Sequence, residues 1–227
     1  MSAPLLIAHR GASVDAAENS LHAFQLAKQQ RADAVECDIQ LSRDGVPVVF
    51  HDQTLERLTG DSRTVASVDM AGLVALRLEG GEKIPTLLEA LEWSINGLPL
   101  VIELKTGPAP GLLVAAVARD LAATVGRVLW VSSFSAGLLQ EVAERLPALP
   151  RALVSAACYD VAIKAALAAG VSALHLAHSA WRPATSSLPV LVWTIDDPGD
   201  ARQVVGEGAS GIFTNRPGLV AQFREAG

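Results

Sequence analysis

The sequence predicts an α/β fold, a (β/α)8 TIM barrel with a small insertion after the second strand at about residues 42–85. Three observations predict it. Short apolar runs alternate from end to end with Ala/Leu-rich segments of helical period, the pattern of a parallel sheet joined by crossover helices. Nine candidate strands can be counted, but the second and third are separated by too few residues for a parallel crossover, which needs about a dozen. Asp44-Gly45 in that gap is a hairpin signal, so the third strand folds back and eight remain for a barrel. Finally, 50% of the residues are hydrophobic and only 4% aromatic, so the core is built mostly from Ala, Val and Leu, as in parallel sheets covered by helices. An open doubly wound sheet is the competing arrangement.

In chain order, strands are expected at Leu5–His9, Val35–Gln40, Val46–His51, Leu100–Lys105, Val128–Phe134, Arg151–Ser155, Ala173–His178, Val190–Ile195 and Gly211–Thr214. Helices are expected near 19–30, 86–95, 111–123, 136–145, 160–169, 199–206 and 217–225. Pro85-Thr86 followed by Glu89 has the spacing of a capping box and marks one helix start. No linker, low-complexity tract or repeat divides the chain, so residues 1–227 are expected to form one barrel domain.

A net charge of -6 argues against nucleic acid as the main partner. No stretch makes a convincing membrane span, and the opening "MSAPLLIAHRG" lacks the basic region and long apolar run of a signal peptide. A cytoplasmic location is the expectation. Cys37 and Cys158 do not make a disulfide framework; Cys37 is expected to be a small buried hydrophobe on the strand face opposite its acidic neighbours.

Those neighbours, Glu36 and Asp38, carry the functional reading. Burying carboxylates on a strand is costly unless they are paired or coordinate a metal. Barrel enzymes carry their reactive groups at the C-terminal ends of the strands. There the chain offers His9-Arg10-Gly11, Glu36 with Asp38, and Glu103 with Lys105 on one face of "VIELK". The hairpin returns His51 to near the level of Glu36, within a residue or two of register. Three carboxylates without a thiolate cluster favour one hard divalent cation, Mg2+ or Ca2+. Two histidines suit a proton donor and a proton acceptor, while Arg10 and Lys105 suit a phosphoryl centre. The set reads as metal-assisted phosphodiester cleavage. Salt-bridged strand carboxylates, capping histidines and structural ion pairs are the alternatives for the same residues. Trp193 is either core or a wall of the substrate pocket. Asn19 is either a helix N-cap or an organiser of the site.

"AHRG" followed by "ENS", "ECDIQLSRDGVPVVFHD", "RLTG", "IPTLLEAL" and "IELK" resembles the glycerophosphodiester phosphodiesterase family, and "SSF", "VWTIDDP" and "GIFTNRP" continue the resemblance in order. It covers almost the whole chain. The resemblance implies a TIM barrel with an insertion after the second strand and hydrolysis to sn-glycerol 3-phosphate and an alcohol. It implies His9 and His51 as the acid/base pair, Glu36, Asp38 and Glu103 as metal ligands, and Arg10 and Lys105 as phosphate contacts. The attacking oxygen is left open between water and the glycerol 2-hydroxyl. The chain departs from the family pattern at four positions: Ala17 for a proline, Ser20 for a threonine, Asp196 for an asparagine and Asn215 for an aspartate.

Two competing functions are a lysophospholipase D-like activity on lipid substrates and a non-catalytic binder of glycerol phosphates. The first would need an exposed apolar rim; the second would have no use for two proton-transfer groups. The expected partner is a small-molecule glycerophosphodiester, with no stable membrane insertion and the oligomeric state left open.

Overall fold

Strand β1 (Leu5–His9) pairs in parallel with both β2 (Ala34–Leu41) and β9 (Gly211–Thr214), and this double pairing closes the sheet. A computed structural model describes residues 3–121, 127–183 and 186–224. From β2 the barrel continues through β4 (Leu100–Leu104), β5 (Val128–Ser133), β6 (Arg151–Ser155), β7 (Ala173–Ala177) and β8 (Val190–Trp193) to β9. Eight parallel strands result, and the open-sheet alternative falls. Strand β3 (Pro47–Val49) lies outside the ring, antiparallel to β2.

Alternation along each strand divides the apolar residues between two layers. Inward-facing Ile7, Ala34, Val101, Ala152, Ala173, Leu191 and Phe213 fill the barrel. Outward-facing Val35, Cys37, Ile39, Ile102 and Val131 pack beneath the helices α1 (Leu21–Gln29), α4 (Leu87–Asn96), α5 (Pro110–Leu121) and α6 (Ala136–Arg145). Helices α7 (Tyr159–Ala168), α8 (Pro198–Gly206) and α9 (Pro217–Val220) complete the shell. Cys37 is buried on the outer face, as its position between two inward carboxylates requires.

The capping box at α4 is formed: Glu89 N donates to Thr86 Oγ1 at 3.1 Å, and Thr86 N donates to Glu89 Oε2 at 2.8 Å. Ser20, not Asn19, caps α1 by accepting from Ala23 N at 3.0 Å. The expected 111–123 helix is described over Pro110–Leu121, with 122–123 outside the described residues. The 217–225 helix tightens to 3-10 geometry over Ala221–Arg224, residue 225 again lying outside.

The insertion holds α2 (Glu56–Thr59), α3 (Met70–Ala75) and two one-turn 3-10 helices. Its own apolar cluster includes Val48, Phe50, Leu55, Val65, Leu73 and Ile84. Strand β3 is shorter than the expected 46–51. Beyond Val49, Phe50 N still donates to Asp38 O at 2.9 Å, but the Gln40 side chain replaces the ladder, its Nε2 lying 2.8 Å from the carbonyl oxygens of Phe50 and Asp52. Likewise β7 stops at Ala177, and His178 opens a 3-10 turn at the surface.

Candidate active site

The site begins where β1 turns. Arg10 and Gly11 both take left-handed backbone, φ 59 and 82. A Cβ on Gly11 would lie 2.7 Å from the carbonyl carbon of Ala23, so only glycine permits α1 to approach this closely. The turn aims Arg10 N at Glu36 Oε2, 3.0 Å away.

Glu36 and Asp38 face inward from β2, and Asp38 is in register with Glu103 on β4. One carboxylate oxygen from each of the three lies within 4.8 Å of the others. Lys105 bridges two of them, with Nζ 2.8 Å from Asp38 Oδ1 and in contact with Glu103 Oε1. Arg10 Nε is 3.2 Å from Asp38 Oδ2, which also accepts from Asn19 Nδ2 at 2.8 Å. Asn19 thus spends its side chain on Asp38 and not on a helix cap, held at φ 59 with its backbone N–H on Arg10 O.

These contacts treat the three acids unequally. Burial raises the Asp38 carboxyl, but Lys105 and Arg10 outweigh it and hold the group below its ordinary value. On Glu36 the same two cations are outweighed. Burial, then the charges of Asp38 and Glu103, push it well up, and its Oε1 is buried without a hydrogen bond among the described residues. Burial raises Glu103 as well. Three carboxylates against Arg10 and Lys105 leave the cluster one negative charge in excess when all are ionised. An all-oxygen donor set with surplus negative charge and an oxygen lacking a donor fits a hard divalent cation.

His9, His51, Arg10, Glu36, Glu103, Lys105 and Trp193 all line one cavity of about 300 Å³. Asp38 lies behind its wall, 1% exposed. His9 Nδ1 is 2.8 Å from Asn215 Oδ1, and its Nε2 is 4.0 Å from Glu36 Oε2. Burial, and after it the Arg10 charge, pulls His9 down to about 4, so the ring is neutral at pH 7. His51 Nδ1 is 2.6 Å from Asp52 Oδ1. Carrying the β2–β3 register onward sets His51 opposite Cys37, one residue from the expected level of Glu36. Trp193 donates from Nε1 to His175 O at 3.1 Å, and its ring meets Phe134 edge to face at 6.0 Å.

Sequence reasoning missed the chain of charge linking the two histidine loops. Arg57 of α2 donates from Nε to Asp52 Oδ2 at 2.6 Å and from Nη1 to Glu18 Oε2 at 2.9 Å. Glu18 in turn accepts from Arg10 Nη1 at 2.9 Å. Hydrogen bonding to Arg57, then to His51, holds Asp52 down at about 2. The recognised "ENS", "FHD" and "RLTG" segments contain all three residues, but nothing in their spacing shows that they meet. The other histidines divide. His22 and His178 are exposed, whereas His175 is buried at the cavity wall and pulled by burial to about 3.

The sequence profile of the Glycerophosphoryl diester phosphodiesterase family matches residues 9–219. The chain belongs to that family. The glycerophosphodiester phosphodiesterase of Caldanaerobacter subterraneus subsp. tengcongensis is 30% identical, with 94% of each chain covered. Among solved structures, an Oleispira antarctica phosphodiesterase in complex with the product sn-glycerol-3-phosphate is 30% identical at a TM-score of 0.92, covering 98% of this chain and 97% of that one. A glycerophosphodiester phosphodiesterase from Agrobacterium tumefaciens is 28% identical at a TM-score of 0.81, covering 99% and 100%. Among the described residues, no helix is long and apolar enough to cross a membrane.

Proposed function

We propose that this glycerophosphodiester phosphodiesterase cleaves small glycerophosphodiesters to sn-glycerol 3-phosphate and an alcohol, with His9 as general base and His51 as general acid. One observation carries the reading: two imidazoles, each engaged through Nδ1 by an oxygen, line the same cavity as Glu36 and Glu103 of the converging acidic cluster. Glu36, Asp38 and Glu103 would hold one divalent cation, Mg2+ or Ca2+. When bound, that cation supplies positive charge to the phosphoryl oxygens. It would turn the cluster's excess from one negative to one positive charge, which a phosphodiester monoanion balances.

The remaining work falls to side chains. Arg10 and Lys105 keep N–H donors beyond those spent on carboxylates, and these suit the phosphate oxygens. Trp193 and Phe134 give the glycerol carbons an apolar wall. His9 Nε2 takes the proton of the attacking oxygen as that oxygen bonds to phosphorus. The bond from phosphorus to the alcohol oxygen breaks, and that oxygen takes a proton from His51. The attacker is water, or it is the glycerol 2-hydroxyl, in which case water then opens the resulting cyclic phosphate to sn-glycerol 3-phosphate; trapping that cyclic phosphate in a slowed variant identifies the second route. Because the insertion supplies His51, residues 1–227 are taken as one catalytic domain. Unpaired Cys37 and Cys158 suit a reducing, cytoplasmic setting.

The test is a coupled assay for sn-glycerol 3-phosphate release from glycerophosphocholine, glycerophosphoethanolamine and glycerophosphoglycerol, with Mg2+, Ca2+ or chelator. Chelation is expected to abolish turnover, and His9→Ala and His51→Ala each to lower kcat about 10²–10⁴-fold. Unchanged rates in either variant remove that histidine from the mechanism. A second reading, lysophospholipase D-like action, is favoured by one feature. An apolar cleft of about 170 Å³ beside Lys105 is lined by Leu41, Ala66, Pro108 and Leu113. Faster turnover of lysophosphatidylcholine than of glycerophosphocholine would establish it.

A further inference from the structure

Asp196, in the loop after β8, is an acceptor with no proton to give when ionised. It takes three donors from the end of β9: Thr214 Oγ1 at 2.9 Å and Asn215 N at 2.7 Å on Oδ1, and Asn215 Nδ2 at 2.8 Å on Oδ2. These bonds leave the Asn215 amide no choice of orientation. Its nitrogen must face the carboxylate, so its oxygen faces His9 Nδ1 at 2.8 Å. The Ser13 hydroxyl lies 3.0 Å from the same oxygen. An oxygen acceptor opposite Nδ1 requires a proton on Nδ1. In a neutral imidazole the lone pair is then on Nε2, the nitrogen on the Glu36 side of the ring.

We propose that Asp196 and Asn215 are a positioning pair that holds His9 in its Nδ1–H tautomer and keeps Nε2 free to accept a proton. The inference rests on the reading of His9 as general base. It also accounts for the chain's two departures near the ends of β8 and β9. An asparagine at 196 and an aspartate at 215 would preserve every hydrogen bond. The amide oxygen at 196 would accept from Thr214 and from the 215 N–H, and its nitrogen would donate to a carboxylate that still accepts from His9 and Ser13. Either change alone breaks the pattern. Asn215→Asp sets two carboxylates against each other, and Asp196→Asn frees the Asn215 amide to present its nitrogen to His9.

The experiment measures ring 15N shifts of histidine-labelled protein with Mg2+ at neutral pH, the His9 signals assigned by their loss in His9→Gln, alongside steady-state kinetics. Native protein should show His9 as the Nδ1–H tautomer. Asp196→Asn should shift signal toward the Nε2–H form and lower kcat about 10–100-fold with KM little changed, the size usual for a lost orienting partner. Asp196→Asn/Asn215→Asp should restore both the tautomer and most of kcat. An Nε2–H tautomer in the native protein overturns the proposal whatever the variants do. So does an Asp196→Asn variant with native tautomer and native kcat, or a double variant no better than the single ones. Full activity in His9→Ala would instead sink the general-base reading while leaving the tautomer measurement to stand or fall by itself.

Discussion

Glu36→Gln is expected to stabilise the cation-free protein while destroying its activity. The substitution removes one charge from the buried acidic cluster with almost no change of shape, and the amide oxygen can still accept from Arg10 N. Burial, then Asp38 and Glu103, push the Glu36 carboxyl well above its ordinary value. An acid whose pKa is raised on folding binds its proton more tightly in the folded state. Its ionised form therefore lowers stability, an effect absent below the unfolded pKa and complete above the folded one. An ion taken out of water loses roughly several kcal/mol of solvation, of which Arg10 and Lys105 return a part here. Taking about 2 kcal/mol as the remainder, and about 2–4 °C per kcal/mol for a chain near this size, Tm in chelator at pH 8 should rise by about 4–8 °C. At pH 5 the advantage should shrink, because the native protein gains the proton the variant never needs. Mg2+ at about a hundred times its Kd should add about 2.7 kcal/mol to the native protein and much less to the variant, reversing their order. Thermal melts at both pH values, with chelator and with Mg2+, read all four quantities. A variant no more stable than native in chelator at pH 8, or an equal response of both proteins to Mg2+, refutes the reasoning.

Three further outcomes are expected. His175 is fully buried and held neutral down to about 3, so as pH falls below about 6.5 the unfolded chain takes up a proton that the folded chain refuses, and about 1.4 kcal/mol of stability is lost per pH unit. His175→Leu should remove that slope, so the stability difference between native and variant should change by about 2.3 kcal/mol between pH 6.5 and 4.5 in urea melts; parallel curves would count against it. Gly11→Ala forces a Cβ against Ala23 at positive φ and should cost about 2–4 kcal/mol, and a urea midpoint within error of native would show that α1 can give way. Arg57→Met cuts the link between Glu18 and Asp52 but removes only two half-exposed ion pairs, so kcat should fall severalfold while stability changes by about 1 kcal/mol or less; a large loss in urea melts would mean the residue serves the fold instead.

The barrel was legible because its signals are local. Strand ends at Leu5–His9, Arg151–Ser155 and Gly211–Thr214 match their apolar runs, and the Thr86–Glu89 spacing became a formed capping box. Asp44-Gly45 announced the hairpin, with Gly45 at φ 78, and the hairpin brought His51 beside the carboxylates. What stayed hidden depends on contacts no local pattern encodes. Helices α2 and α3, four and six residues long, are too short for a 3.6-residue period to register. The truncation of β3 depends on one side chain, Gln40, competing for backbone carbonyls. Asn19 and Ser20 are equally good caps by composition, and the choice between them was made by Asp38 from another strand. Asp196 and Asn215 were visible as departures, but their pairing with His9 spans most of the chain.

Two imidazoles in one cavity do not by themselves say which gives a proton and which takes one; their partners on Nδ1 make the difference. His9 faces a neutral amide oxygen, lies deep in the site beside Arg10, and would carry a positive charge only at a cost. His51 faces the Asp52 carboxylate at 2.6 Å, so a positive charge on its ring has a counter-charge in contact, itself anchored by Arg57. In the proposed chemistry the histidine that must arrive protonated is therefore the one beside a carboxylate, and the one that must arrive with a free lone pair is the one beside an amide. Exposure follows the same division, His51 at 32% and His9 at 19%. A general acid must recover a proton from solvent after each turnover, and the more accessible ring is the one placed on the insertion, just after the strand that lies outside the closed ring.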